Sequence, residues 1–277
     1  MHHNKYWYKV LFHKADLDTV LTAKLASVTC WRFLTSVPKA TEFDLLDTQV
    51  LCIEVGGSGQ VSLHNFDHHD PFHYFPPACK QAYDYFGWED KKWEKIVHYV
   101  CLVDEGNPVD VNFPSLSNIF SGMCLLIDDP IEQFLTGLSI IDTVYVKGFD
   151  PFQALPELPE WKHFILAKEQ NLAQLQQDSK NIVTFYTKTN IFCGFLESNA
   201  VGGFKILYDK GCEVGVLYSP RQNKYTIGSK HLNLTKLLQQ FQSIEDGWGG
   251  RQNIFGSPYR GTKLTPAEVI KIIKETL

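Results

Sequence analysis

The chain has 277 residues, 44% hydrophobic and 13% aromatic, which excludes a disordered chain and is enough for one large core or two modest ones. A formal net charge of −5 argues against a basic face for long duplex DNA, but leaves room for a nucleotide or short oligonucleotide bound by local positive charge. Seven scattered cysteines without a C-x-x-C pair argue against a zinc finger or a disulfide framework. No apolar stretch is long enough for a membrane span, and Met1-His2-His3-Asn4 lacks the pattern of a signal peptide, so a cytoplasmic protein is expected.

Residues 6–12 are rich in β-formers and predict a strand running into His13. Apolar residues at helical spacing predict a helix over 19–34, with Asp16 or Asp18 at its start. Residues 49–55 read as a second strand stopped by Gly56-Gly57, and 61–66 as a third that delivers Asp67-His68-His69. Pro76-Pro77 opens a helix reaching Tyr85, and 91–103 predicts another that ends at Asp104-Glu105-Gly106. Strands alternating with helices, with polar groups at the strand ends, predict an α/β domain over 1–158. Its sheet is expected to be mainly parallel and flanked by helices.

A proline-punctuated connector at 151–159 leads into a Gln-rich helix, so 159–182 is read as a linker. Short strands are expected at 183–186, 191–196, 203–208, 213–218 and 224–227, and helices at 234–241 and 266–277. Residues 183–277 thus read as a smaller α/β domain with a mixed sheet.

Four separate element ends finish in metal-capable residues: His13 with Asp16 and Asp18, then Glu54, then Asp67-His68-His69, then Asp104. Singly, each has a plain reading, such as a helix N-cap for an aspartate before a helix. Together they form a ligand set for divalent cations, because a carboxylate at the end of an apolar strand is costly unless a cation offsets it. Mixed imidazole and carboxylate ligands suit Mn²⁺, with Mg²⁺ or Co²⁺ as substitutes.

An apolar strand into H-x-x-D-x-D (His13, Asp16, Asp18), an acidic residue after the next strand, Asp-His-His and a later Asp resembles the DHH phosphoesterase superfamily. Gly249-Gly250-Arg251 followed by Gly256-Ser257 is similar to the Gly-Gly-His motif of the DHH-associated C-terminal domain. The resemblance implies a DHH domain, a linker helix and a substrate-binding domain. It implies one metal on His13, Asp16 and Glu54, and a second on Asp18, Glu54, His68 and Asp104. His69 would face the substrate phosphate, Asp67 would orient its neighbours, and Gly249, Gly250 and Arg251 would meet the far end of the substrate. The chain departs from the family pattern in its H-x-x-D spacing, in Glu54 where Asp is usual, and in Arg251 where His is usual.

The expected activity is hydrolysis of a phosphoester in a short oligonucleotide or nucleotide by a water activated between two divalent metals. An exopolyphosphatase or pyrophosphatase is the alternative enzyme, and a divergent nucleotide-binding member without turnover the alternative of another class. The expected partner is a small phosphorylated substrate, with no membrane, no long duplex DNA, and a homodimer left open. Phe204, Tyr208, Tyr218, Tyr225, Phe255 and Tyr259 are candidates either to stack a base or to fill the core of the second domain.

Overall fold

The computed structural model describes residues 7–28, 31–70, 72–107, 109 and 112–277; the His2-His3 segment and the expected strand start at position 6 lie outside them. The chain divides into two compact units, Met1–Lys168 and Glu169–Leu277, and the boundary falls inside a helix.

Unit one runs β1 (Lys9–Phe12), α1 (Leu17–Leu25), β2 (Leu34–Ser36), α2 (Glu42–Leu46), β3 (Val50–Ile53) and β4 (Asn65–Phe66). It continues with α3 (Ala78–Tyr85), α4 (Lys91–Asp104), α5 (Leu116–Leu126), α6 (Pro130–Lys147) and the start of α7 (Lys162–Asp178). The four strands form one parallel sheet in the order β2-β1-β3-β4. Every residue of β3 is fully buried, as a parallel strand covered on both faces requires, which is why it reads as an unbroken apolar run rather than an alternation.

Register decides where the chemistry emerges. Phe12 pairs with Ile53, and Ile53 pairs with Phe66. The next residues, His13, Glu54 and Asp67, therefore leave three neighbouring strands at the same level of the carboxyl edge.

The helix expected over 19–34 ends at Leu25, where Ser27 turns to φ 58°. Leu34–Ser36 instead forms β2, because Leu34 pairs with Val10 of β1. The strand expected over 61–66 keeps only Asn65–Phe66; Val61–Leu63 is a 3-10 turn that ends with His64 at φ 63°. Its close packing needs a glycine, since a Cβ on Gly57 would meet the Asn65 side chain at 2.8 Å. Helices α5 and α6 occupy a stretch for which no element is expected above.

Unit two contains the rest of α7, β5 (Val183–Tyr186), β6 (Phe192–Glu197), α8 (Gly203–Asp209), β7 (Val214–Ser219) and β8 (Lys224–Ser229). Then come α9 (Thr235–Ile244), β9 (Gly249–Arg251), β10 (Ile254–Gly256) and α10 (Pro266–Thr276). The mixed sheet has the order β5-β6-β7-β8-β10-β9, with β6 and β7 parallel and the other pairs antiparallel. The strand expected at 203–208 is the helix α8. Parallel neighbours cannot be joined by a tight turn, so the connection from β6 to β7 must cross over, and a short apolar run there becomes the crossover helix.

Among the described residues no helix is long and apolar enough to cross a membrane. Phe66 is fully buried against Tyr85 and Phe86, with ring centroids 5.9 and 5.7 Å away, one residue before Asp67. Phe66→Ala is expected to remove about 3–5 kcal/mol of stability in urea denaturation, whereas Phe43→Ala, at a ring 87% exposed, should stay within about 0.5 kcal/mol.

Candidate metal centre

Asp16 and Asp18 flank the start of α1 and have different duties. Asp16 is the N-cap, its Oδ1 accepting from the Thr19 amide at 3.0 Å. Asp18 is 2% exposed, and its two oxygens accept from the amides of Ala78 and Cys79 at 2.8 Å each, the first two N–H groups of α3. Burial pushes Asp18 up to about 8, the Cys79 hydrogen bonds work against it, and the charges of Glu54 and Asp104 add to it.

Glu54 holds a left-handed backbone at φ 58°, a conformation that costs a non-glycine residue on the order of 1–2 kcal/mol. Its amide donates to Phe66 O at 3.0 Å, extending the β3–β4 ladder one residue past the strand. The carboxylate Oε2 then lies 2.7 Å from His69 Nδ1 and 4.0 Å from His68 Nε2.

Asp67 is spent on shape. One oxygen accepts from the Gly56 amide at 2.6 Å, the other from Ser58 Oγ at 2.9 Å and the His69 amide at 2.6 Å. Burial alone would raise its pKa, but these bonds and the His69 ring hold the carboxyl well below the usual range. His69 in turn is pushed up to about 10 by Asp67 and Glu54, with burial opposing them. Gln81, also buried, donates to Asp67 O at 3.1 Å and to Pro76 O at 2.7 Å, tying the Asp-His-His turn to α3.

Asp104 arrives from the far end of α4, with Oδ2 at 3.5 Å from His68 Nε2. Burial raises its pKa, His68 lowers it, and Asp16 and Glu54 raise it further. A carboxylate at a helix C-terminus also faces the negative end of the helix dipole.

Two groups of ligand atoms therefore gather within 4.8 Å of one another: Glu54 with His68 and His69, and Asp18 with His68 and Asp104. His13, exposed at the end of β1, and Asp16 lie outside both groups, although the charge of Asp16 reaches Asp104. His69 stands inside the first group rather than apart from it. The donor set fits a divalent cation: His68 Nε2 faces both Glu54 Oε2 and Asp104 Oδ2, at 4.0 and 3.5 Å, and Glu54 keeps its second oxygen, Oε1, buried with no hydrogen-bond partner among the described residues. Carboxylate oxygens with imidazole nitrogen are donors that a divalent cation accepts.

Gly249, Gly250 and Arg251 are exposed residues of β9 in the second unit. Gly250, at φ 153°, is required by its pairing with β10, because a Cβ there would lie 2.5 Å from Phe255 Cα. Gly249 has open space around it. Of the aromatic candidates, Tyr225 and Phe255 are buried in the core of this unit, and Tyr218 stacks on Tyr225 at 4.6 Å. Phe204 and Tyr208 stack on each other at 5.7 Å, while Tyr259 is 89% exposed.

Sequence reasoning missed the roles of Gln81, Ser58 and the α3 amides. Pro76-Pro77 announces a helix start, hence a ready anion site, but nothing local says that its anion is Asp18, sixty positions earlier.

Mn²⁺ added to the metal-free protein is expected to raise its melting temperature, and His68→Ala to abolish the shift. Because Asp18 must give up a proton to bind, Mn²⁺ affinity should rise up to about tenfold per pH unit and level off once pH exceeds the Asp18 value of about 8. Calorimetric titration across that range checks the slope.

No family model matches the chain, and no curated protein matches it in sequence. Solved structures do match in fold. The pGpG-specific phosphodiesterase PggH from Vibrio cholerae is similar over 90% of this chain and 92% of its own, at 13% identity and a TM-score of 0.51. RecJ from Thermus thermophilus, in complex with Mn²⁺, is similar over 95% of this chain, at 11% identity and a TM-score of 0.52. This chain spans about half of that RecJ chain, the match covering 51% of it. The likeness is one of fold, a parallel-sheet domain followed by a mixed-sheet domain, and it is the fold that the DHH resemblance implies.

Proposed function

We propose that the chain is a metal-dependent phosphohydrolase that cleaves a phosphoester in a short oligonucleotide or nucleotide. The observation that carries this reading is the meeting of Glu54, His68, Asp104 and Asp18 at one sheet edge, with His68 Nε2 facing the Glu54 and Asp104 carboxylates and Glu54 Oε1 buried without a partner among the described residues. The names of the similar folds, a phosphodiesterase and RecJ with Mn²⁺, support it.

Asp18, Glu54, His68 and Asp104 would hold one divalent cation, and Glu54 with His13 and Asp16 a second, as the DHH resemblance implies. Bound cations of this kind supply an activated water and polarise the phosphoryl oxygen. Asp67 fixes the turn that carries both histidines, and the α3 amides fix Asp18. With Nδ1 of His69 bonded to Glu54 at 2.7 Å and its side chain 45% exposed, Nε2 is the donor left for a phosphoryl oxygen. Arg251 would act as a fixed positive donor, since a guanidinium does not titrate near neutral pH. The six described cysteines are free thiols, in keeping with a cytoplasmic enzyme.

Short RNA, a linear dinucleotide, 3′-phosphoadenosine phosphate, cyclic dinucleotides and polyphosphate should be compared by phosphate or mononucleotide release in Mn²⁺. Turnover of a nucleotide substrate is expected, with His68→Ala and Asp104→Asn each losing more than about a hundredfold while keeping the wild-type circular dichroism. Full activity in both variants would sink the reading. Polyphosphate as the sole substrate would shift it to the phosphoanhydride alternative. Asp18→Ala is the poorer probe, because it also strips two amides of α3 of their acceptor.

A further inference from the structure

Two residues beyond Asp67-His68-His69 the chain enters Phe72-His73-Tyr74-Phe75-Pro76-Pro77, an aromatic segment that the metal centre leaves unexplained. Asp70 braces its start, with Oδ1 accepting from the amides of Phe72 and His73 at 2.8 Å each. The Phe75 ring packs over the Gly59 backbone, where even a Cβ would lie 2.6 Å from it. Tyr74 donates its hydroxyl to Glu105 Oε1 at 2.7 Å, yet the residue is 78% exposed. The segment is thus held at several points while the aromatic face of Tyr74 stays open.

Tyr74 lines one side of a pocket of about 560 Å³ between α3 and α4, inside the roughly 300–1,000 Å³ range of small-ligand sites. Two covalent links join it to the metal centre. Glu105, on its wall, follows Asp104, and Pro77, also on its wall, precedes Ala78, whose amide holds Asp18.

The charge of the wall selects its guest. Lys80 is committed to Asp84 at 2.5 Å, which leaves Glu94 and Glu105 as surplus carboxylates. Phosphate would be repelled there. A flat ring carrying N–H donors would be attracted, stacking on tyrosine and bonding to carboxylate. Glu105 has capacity for it: Tyr74 and Asn107 take one site on each oxygen, at 2.7 and 2.9 Å, and a carboxylate offers about four.

We propose that this pocket receives a nucleobase of the substrate, stacked on Tyr74 and bonded through its N–H groups to Glu105, while the adjoining phosphoester lies at the metal centre. The inference rests on the phosphohydrolase reading and deepens it, favouring nucleotides over bare polyphosphate.

Full-length wild type, Tyr74→Ala and Tyr74→Phe should be compared in Mn²⁺ on a 5′-phosphorylated adenine dinucleotide and on its counterpart lacking one base. The ratio of kcat/KM for the two compounds is expected to fall about tenfold in Tyr74→Ala, chiefly through KM, and to recover in Tyr74→Phe. A dinucleotide containing 2-aminopurine should lose fluorescence on the metal-free wild type and on Tyr74→Phe, but not on Tyr74→Ala. Equal ratios in all three proteins, or unquenched fluorescence on the wild type, would overturn the base pocket. Quenching that depends on Tyr74, without hydrolysis of either compound, would keep the pocket and remove the phosphohydrolase reading instead.

Discussion

The structure turns on the alignment of three parallel strand ends. Phe12, Ile53 and Phe66 are in register, all fully buried, and the residue after each turns out of the sheet. A polar side chain within a strand would have been forced into the core. One residue later it stands at the rim, where it can be half-buried and still reach a cation. The apolar strands thus act as rulers that set His13, Glu54 and Asp67 at one height.

Helices α1 and α4 add carboxylates at this edge, so that groups that repel come together. Asp18, Glu54 and Asp104 crowd a small volume, and burial pushes the pKa of both Asp18 and Asp104 upward. The fold tolerates this through fixed donors: two α3 amides on Asp18, three hydrogen bonds on Asp67, and the imidazole of His69 on Glu54. Glu54 adds a left-handed backbone to the cost. Strain and like charge concentrated at one place mark it as a candidate functional site.

The same helices serve the aromatic pocket. Helix α3 presents its first amides to Asp18 and its later side chains, Lys80 and Asp84, to the pocket, and α4 ends in Asp104 and hands on to Glu105. A helix is stiff over this length, so the amides that hold Asp18 and the α3 wall of the pocket keep a fixed spacing.

Much was legible in the primary order because its signals are local. Apolar runs mark β1 and β3, Pro76-Pro77 marks the start of α3, and Asp-His-His is contiguous. Helices α5 and α6 carry equally local signals in the Ser115 cap, Asp129-Pro130 and Gly148, although no element was expected there. What the chain order could not disclose depends on pairings between distant residues. Residues 203–208 form a helix only because β6 and β7 lie parallel, and Leu34 joins a strand only because β1 has a free edge. Sequence by itself determined which ionisable groups sit at element ends. The tertiary structure decided which of them meet: it drew Asp18, His68 and Asp104 together and set His69 against Glu54, while His13 and Asp16 fall outside both ligand groups. The reason is geometric, since strand register and helix direction convert sequence separation into distance, and neither is written in any single segment.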